Sequence, residues 1–171
     1  MIRRILPFGS LVFTAALATG CLSKPEPIEQ PIAFNHALHV GKAKIPCTDC
    51  HAGAEKAPHA GLPAISQCLL CHMKPQGDRK EPSEKEMEVR RKAAEGSQLH
   101  WTQVTRNPGH VYFSHRAHTA GAGLTCETCH GDVALWEAPP QEPNTKLMDM
   151  LVCMDCHRKQ GAANGCRVCH H

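Results

Sequence analysis

The stretch Phe34-Asn35-His36-Ala37-Leu38-His39 is followed, eight positions past its second histidine, by Cys47-Thr48-Asp49-Cys50-His51. The same frame returns, with the same spacing, as Phe113-Ser114-His115-Arg116-Ala117-His118 ahead of Cys126-Glu127-Thr128-Cys129-His130. The Cys-x-x-Cys-His unit occurs three more times, as Cys68/Cys71/His72, Cys153/Cys156/His157 and Cys166/Cys169/His170. Ten of the 11 cysteines therefore sit in one pattern. Two thiols separated by two residues add across the two vinyl groups of a haem as thioethers. The histidine that follows then falls beneath the iron as its proximal ligand. A Cys-x-x-Cys pair alone would equally suit structural zinc or a redox dithiol. Neither requires a histidine after every pair, and all five pairs have one. The pattern implies five covalently bound haem c groups, with His51, His72, His130, His157 and His170 as proximal iron ligands.

The paired histidines of the two frames supply further ligands. Side chains three apart share one face of a short helix, so one histidine can serve its own haem and the other a neighbour. His36 and His115 are expected as distal ligands at the Cys47/Cys50 and Cys126/Cys129 haems, and His39 and His118 at neighbouring haems. A fifth distal ligand must come from His59, His100, His110 or His171. His171, directly after a proximal histidine, and His59, in a loop between two motifs, stand foremost. Met73 and Met154 lie beside motifs and are expected to pack on porphyrin, as are Trp101 and Trp136. Each frame is followed by a second motif, 21 residues on from Cys47 and 27 from Cys126, the extra six falling in a Pro-rich loop at 138–144. The chain thus reads as two related haem pairs plus a fifth haem.

Composition agrees. The 171 residues include only seven aromatics, against 13 Pro, 13 Gly and 13 His. So few large apolar side chains cannot build a core unaided; the porphyrins are expected to be the core. The expected fold is mainly α and irregular, a haem-packed class III-like arrangement of short helices and loops with little or no sheet. One longer helix is expected over 84–95, where Ser83 to Glu86 fits a capping box and Gly96 a helix stop. Its charge spacing suggests a solvated face, the alternative being a docking surface for a partner.

The N-terminus reads as an export signal: Arg3 and Arg4, an apolar run over 5–18, then Ala18-Thr19-Gly20-Cys21. That run is too short for a membrane span. The small residues before Cys21, the one cysteine outside the motifs, resemble a bacterial lipoprotein cleavage box. The expected organisation is a leader over 1–20, a Pro-rich tether from lipidated Cys21 through 31, and a pentahaem domain over 32–171. Within it lie a first haem pair (32–78), a helical linker (79–106), and a second pair with the fifth haem (107–171). Losing Arg3 and Arg4 leaves 17 basic against 16 acidic residues, and haem propionates make the mature protein more acidic still. No nucleic-acid partner is expected.

The Phe-x-His-x-x-His frame before Cys-x-x-Cys-His resembles the class III multihaem cytochromes c. Longer stretches, at 30–39, 55–68, 101–115, 123–131 and 153–158, are similar to the pentahaem cytochrome c subunit of alternative complex III. That resemblance implies a haem subunit on the periplasmic side of a bacterial membrane. It would pass electrons from an iron–sulfur, quinol-oxidising complex to a downstream cytochrome c or oxidase. The lipoprotein-type leader departs from relatives that carry a membrane helix. Two other functions compete: a free periplasmic or extracellular electron carrier, and a multihaem reductase. A reductase needs an open iron position, whereas eight histidines outside the motifs can close all five irons. No catalytic residue is therefore expected.

Overall fold

The protein is described by a computed structural model covering residues 26–171. The expected leader and Cys21 lie outside the described residues. No strand occurs among them. The helices are α1 (Cys47–Cys50), α2 (Ile65–His72), α3 (Glu84–Ala94), α4 (Glu127–His130), α5 (Met150–Lys159) and α6 (Cys166–Cys169). Two wide π-helical turns, π1 (Ala37–Lys42) and π2 (Ala117–Gly121), and 3-10 turns at Val133–Leu135 and Thr145–Met148 complete the set. No described helix is long and apolar enough to cross a membrane.

Only Ile32, Ala54, Ile65 and Glu86 are buried among the described residues. Large apolar side chains remain exposed beside the cysteine motifs: Leu70 is 75% exposed, Met73 66% and Leu151 61%. Burying a side chain of this kind is worth roughly 1.5–3 kcal/mol, and the polypeptide itself does not supply that burial. The apolar area therefore faces whatever the motifs bind.

The two frames fold alike. Asn35 accepts from the Leu38 N–H through its side chain at 2.8 Å, and Ser114 in the same position accepts from Ala117 at 3.4 Å. These bonds tighten the chain at the start of each histidine turn. Each turn closes by a long-reach bond, from the Ile45 N–H to the His39 carbonyl and from the Leu124 N–H to the His118 carbonyl, both 3.0 Å. The expected sharing of one α-helical face is modified by this π geometry. The wider turn spreads side chains three residues apart, so each histidine pair diverges.

The halves pack reciprocally. The segment after the third motif lies on π1, where the Ala37 N–H donates to the Trp136 carbonyl at 2.9 Å. The segment after the first motif lies on π2: His115 and Arg116 N–H groups donate to the Pro58 and Ala57 carbonyls, and the Thr119 hydroxyl to Ala54. Gly41 permits the first contact, because a Cβ there would stand 2.5 Å from the Ala134 carbonyl oxygen.

Helix α3 begins at the expected capping box, Ser83 with Glu86, and Gly96 adopts φ +70° just past its end. One face clamps the end of α2: Arg90 Nε donates to the His72 carbonyl at 2.6 Å. The end of the expected tether is held down. Gln30 exchanges two hydrogen bonds with the Thr102 backbone, and the Thr102 hydroxyl donates to the Glu29 carbonyl.

Candidate haem sites

Every motif folds as a helical turn or lies within a helix, which sets cysteines three apart on one face with the histidine just beyond. In the first, third and fifth motifs the histidine N–H closes the turn onto the first cysteine's carbonyl, at 2.9–3.0 Å. The ten cysteines are free of disulfides.

The histidines meet in twos. His39 faces His72 with ring centres 5.9 Å apart, His115 faces His130 at 6.4 Å, His118 faces His157 at 6.0 Å and His110 faces His170 at 5.4 Å. Two imidazoles binding one metal from opposite sides, each at about 2 Å, bring their ring centres to about 6 Å. His36 lies near enough to His51 to feel its charge: burial first, then His51 and His39, lower the His36 pKa. His130 is lowered by burial, then His115, then His51. Among the described residues no three His, Cys, Asp or Glu side chains converge as a protein-only metal site requires.

Ring orientation is fixed from behind. Nδ1 of His39, His51, His115, His118, His157 and His170 each meets a backbone carbonyl, at 2.6–3.1 Å. Donation from Nδ1–H leaves Nε2 as the free ligand atom. His36 Nδ1 and an Arg90 guanidinium nitrogen are buried with no partner in the protein. The paired rings, directed Nε2 atoms, cysteines one turn apart and exposed apolar flanks fit a thioether-bound haem at each motif.

Phe34 lies edge-on to His36 at 4.8 Å and stacks on His39 at 4.4 Å. Phe113 repeats this with His115 at 4.9 Å and His118 at 4.6 Å. Trp136 flanks His36 at 6.0 Å, edge to face. Trp101 donates its indole N–H to the Pro63 carbonyl at 2.8 Å, and with His100 it lines a shallow cavity against Leu62 and Ala64.

Of the two residues foremost for the fifth distal position, His171 stacks on Tyr112, ring centres 4.1 Å apart, and His59 lies in the segment that packs on π2. The structure also brings His110, another of the four candidates, to His170, because residues 110–112 run beside residues 169–170. There Tyr112 N–H donates to the Cys169 carbonyl at 2.8 Å, and His170 Nδ1–H to the His110 carbonyl at 3.0 Å. His110 has no counterpart in the first half, so the repeat gave no cue to it.

The cysteine thiols record which motifs adjoin. Burial raises the Cys50 thiol first, then Cys68, with Cys71 a smaller contributor. Cys126 is raised by burial and then by Cys47, with which it shares a hydrogen bond. Cys129 is raised by burial and Cys156, and Cys153 by burial, Cys169 and Cys129. These neighbours link the second motif to the first, the first to the third, the third to the fourth and the fourth to the fifth.

Residues 17–100 match the class III cytochrome c family, and residues 111–171 match cytochrome c7 and related cytochromes c. The chain is 32% identical to the multihaem cytochrome c subunit of menaquinone reductase from Nitratidesulfovibrio vulgaris, over 91% of this chain and 85% of that relative. With its repeated cysteine motifs and paired histidines, this chain belongs to the multihaem c-type cytochromes, electron-transfer proteins rather than enzymes in themselves.

Proposed function

We propose that this cytochrome carries five haem c groups, each iron held between two histidines, and relays electrons as the exported, lipid-anchored haem subunit of a membrane quinone oxidoreductase. The observation that carries it is the ring-to-ring pairing of four motif histidines with a second imidazole, His72 with His39, His130 with His115, His157 with His118 and His170 with His110; His36 stands in the matching frame as the neighbour of His51, whose charge it feels. An iron closed on both faces binds no substrate, and its potential lies below that of a His/Met iron. The adjacency of the motifs supports one continuous array in which the second and fifth are the ends.

The relative's name supports a quinone-reactive partner. It also favours electron flow towards quinone, opposite to the direction implied by the resemblance to alternative complex III. Low-potential bis-histidine irons suit that direction, since they donate to a quinone of higher potential. Residues 28–30 are docked on Thr102 and Gln141.

Mass spectrometry of protein matured with c-type haem assembly tests the haem count. Five haem additions are expected, and four, or a zinc mass, would refute the reading. Co-purification from membranes with a polytopic quinone-binding subunit tests the complex. A cytochrome that always fractionates alone would instead be a free carrier.

A further inference from the structure

Glu86 is the one charged residue buried among the described residues, at 4% exposure. Its Oε2 accepts from the Ser83 N–H at 2.5 Å, completing the capping box. Its Oε1 accepts from the Arg79 guanidinium at 2.9 Å and the Gln76 N–H at 3.2 Å, and faces Nδ1 of His72 at 3.3 Å. This last contact differs in kind from those behind His39, His51, His115, His118, His157 and His170, which all use a neutral backbone carbonyl. A carbonyl orients the ring. An ionised carboxylate also draws on the Nδ1 proton and makes Nε2 a stronger donor, which stabilises the ferric iron.

The geometry points to Glu86 as a positioning residue that orients His72 and lowers the reduction potential at the second motif relative to the other four. This rests on the bis-histidine haem reading above. The couple concerned is one-electron, Fe(III) + e⁻ → Fe(II), and the proton stays on His72 Nδ1 in both states. Arg79, half exposed and on the same oxygen, offsets part of the carboxylate's charge. The second motif ends the array, so a lowered potential there makes it the intake from a strongly reducing donor. An electron placed there passes downhill to the first motif, its neighbour in the array.

The test is a potentiometric titration of the holoprotein at constant pH, followed by EPR, after mass spectrometry has fixed the haem count. Glu86→Gln keeps a capping-box side chain, since Gln serves at that position. It should shift one one-electron wave positive by about 59 mV or more, a tenfold change in the equilibrium. The low-spin EPR signal of that same haem should change, while the other four waves stay in place. Arg79→Gln should move the same wave negative. Ser83→Ala weakens the capping box but leaves the His72 contact, so it should lower thermal stability without moving the wave. All five waves unmoved in Glu86→Gln, or an equal shift in Ser83→Ala, would overturn the role of Glu86. If Glu86→Gln loses haem, Arg79→Gln decides alone, and an unmoved wave there overturns it equally. A wild-type mass below five haems strikes instead at the proposed function.

Discussion

Replacing His110 by alanine should open one iron and leave the other four closed. The His110 and His170 ring centres stand 5.4 Å apart, close to the roughly 6 Å expected of two imidazoles sharing a metal at about 2 Å each. No neighbouring imidazole can take over, because His171 is stacked on Tyr112 with an interplanar angle of 14°. With five motifs in the chain, the ferric variant should show about one fifth of its haem as high-spin, where wild type shows none. The reduced variant should bind about one carbon monoxide per chain, and added imidazole should restore the low-spin state by occupying the opened position. His171→Ala should stay fully low-spin and lose only a ring stack, worth roughly 0.5–1.5 kcal/mol. His59→Ala should also stay low-spin. EPR of the three ferric variants decides the matter. A wholly low-spin His110→Ala, or a high-spin fifth in His171→Ala, would refute the reasoning.

Gly41→Ala should force π1 away from the 133–135 turn, since the new Cβ would meet the Ala134 carbonyl oxygen at 2.5 Å. A cost of roughly 1–3 kcal/mol is expected, read as a Tm several degrees lower; an unchanged Tm would mean the two segments are not in contact. Cys21→Ser should move the protein from the membrane to the soluble periplasmic fraction, because the acyl chains of a lipoprotein anchor stably where a single chain binds only marginally. Wild type already soluble would end the lipoprotein reading.

Much of this was legible in the residues. The five motifs, the duplicated frame and the capping box at Ser83 and Glu86 are local signals, each needing only the chemistry of a few neighbouring positions. The absence of strand among the described residues matches the expectation of short helices and loops. What escaped the sequence is tertiary. His110 belongs to no repeat, and it reaches His170 only because residues 110–112 lie along the C-terminus. His171 looked better placed by adjacency, yet Tyr112 offers its ring a face 4.1 Å away. The tether looked free to residue 31, but Glu29 and Gln30 hydrogen-bond Thr102, over 70 residues distant. The 79–106 segment read as a linker. Its helix is pinned to α2 through Arg90 and Glu86, and neither contact across to α2 has a spacing rule.

The duplication also explains why the motifs do not follow chain order in space. Each half sends the segment after its first motif onto the other half's histidine turn: residues 133–136 lie on π1, and 54–58 on π2. This exchange draws the first and third motifs together, where Cys47 and Cys126 adjoin. Phe34 and Phe113 then separate the two histidines of each turn, sending one inward, His36 and His115, and one outward, His39 and His118, to the second and fourth motifs. With a haem at each motif, as proposed, duplication of one pair would make a row of four without any new connection. Only one end was extended. The fifth motif joins beside the fourth, where Cys153 feels Cys169, and the opposite end is closed by α3, which brings Glu86 to His72. The two ends of a symmetric row thus became chemically distinct, a carbonyl behind His170 at one and a carboxylate behind His72 at the other. Such a difference is what gives a row of similar irons a direction.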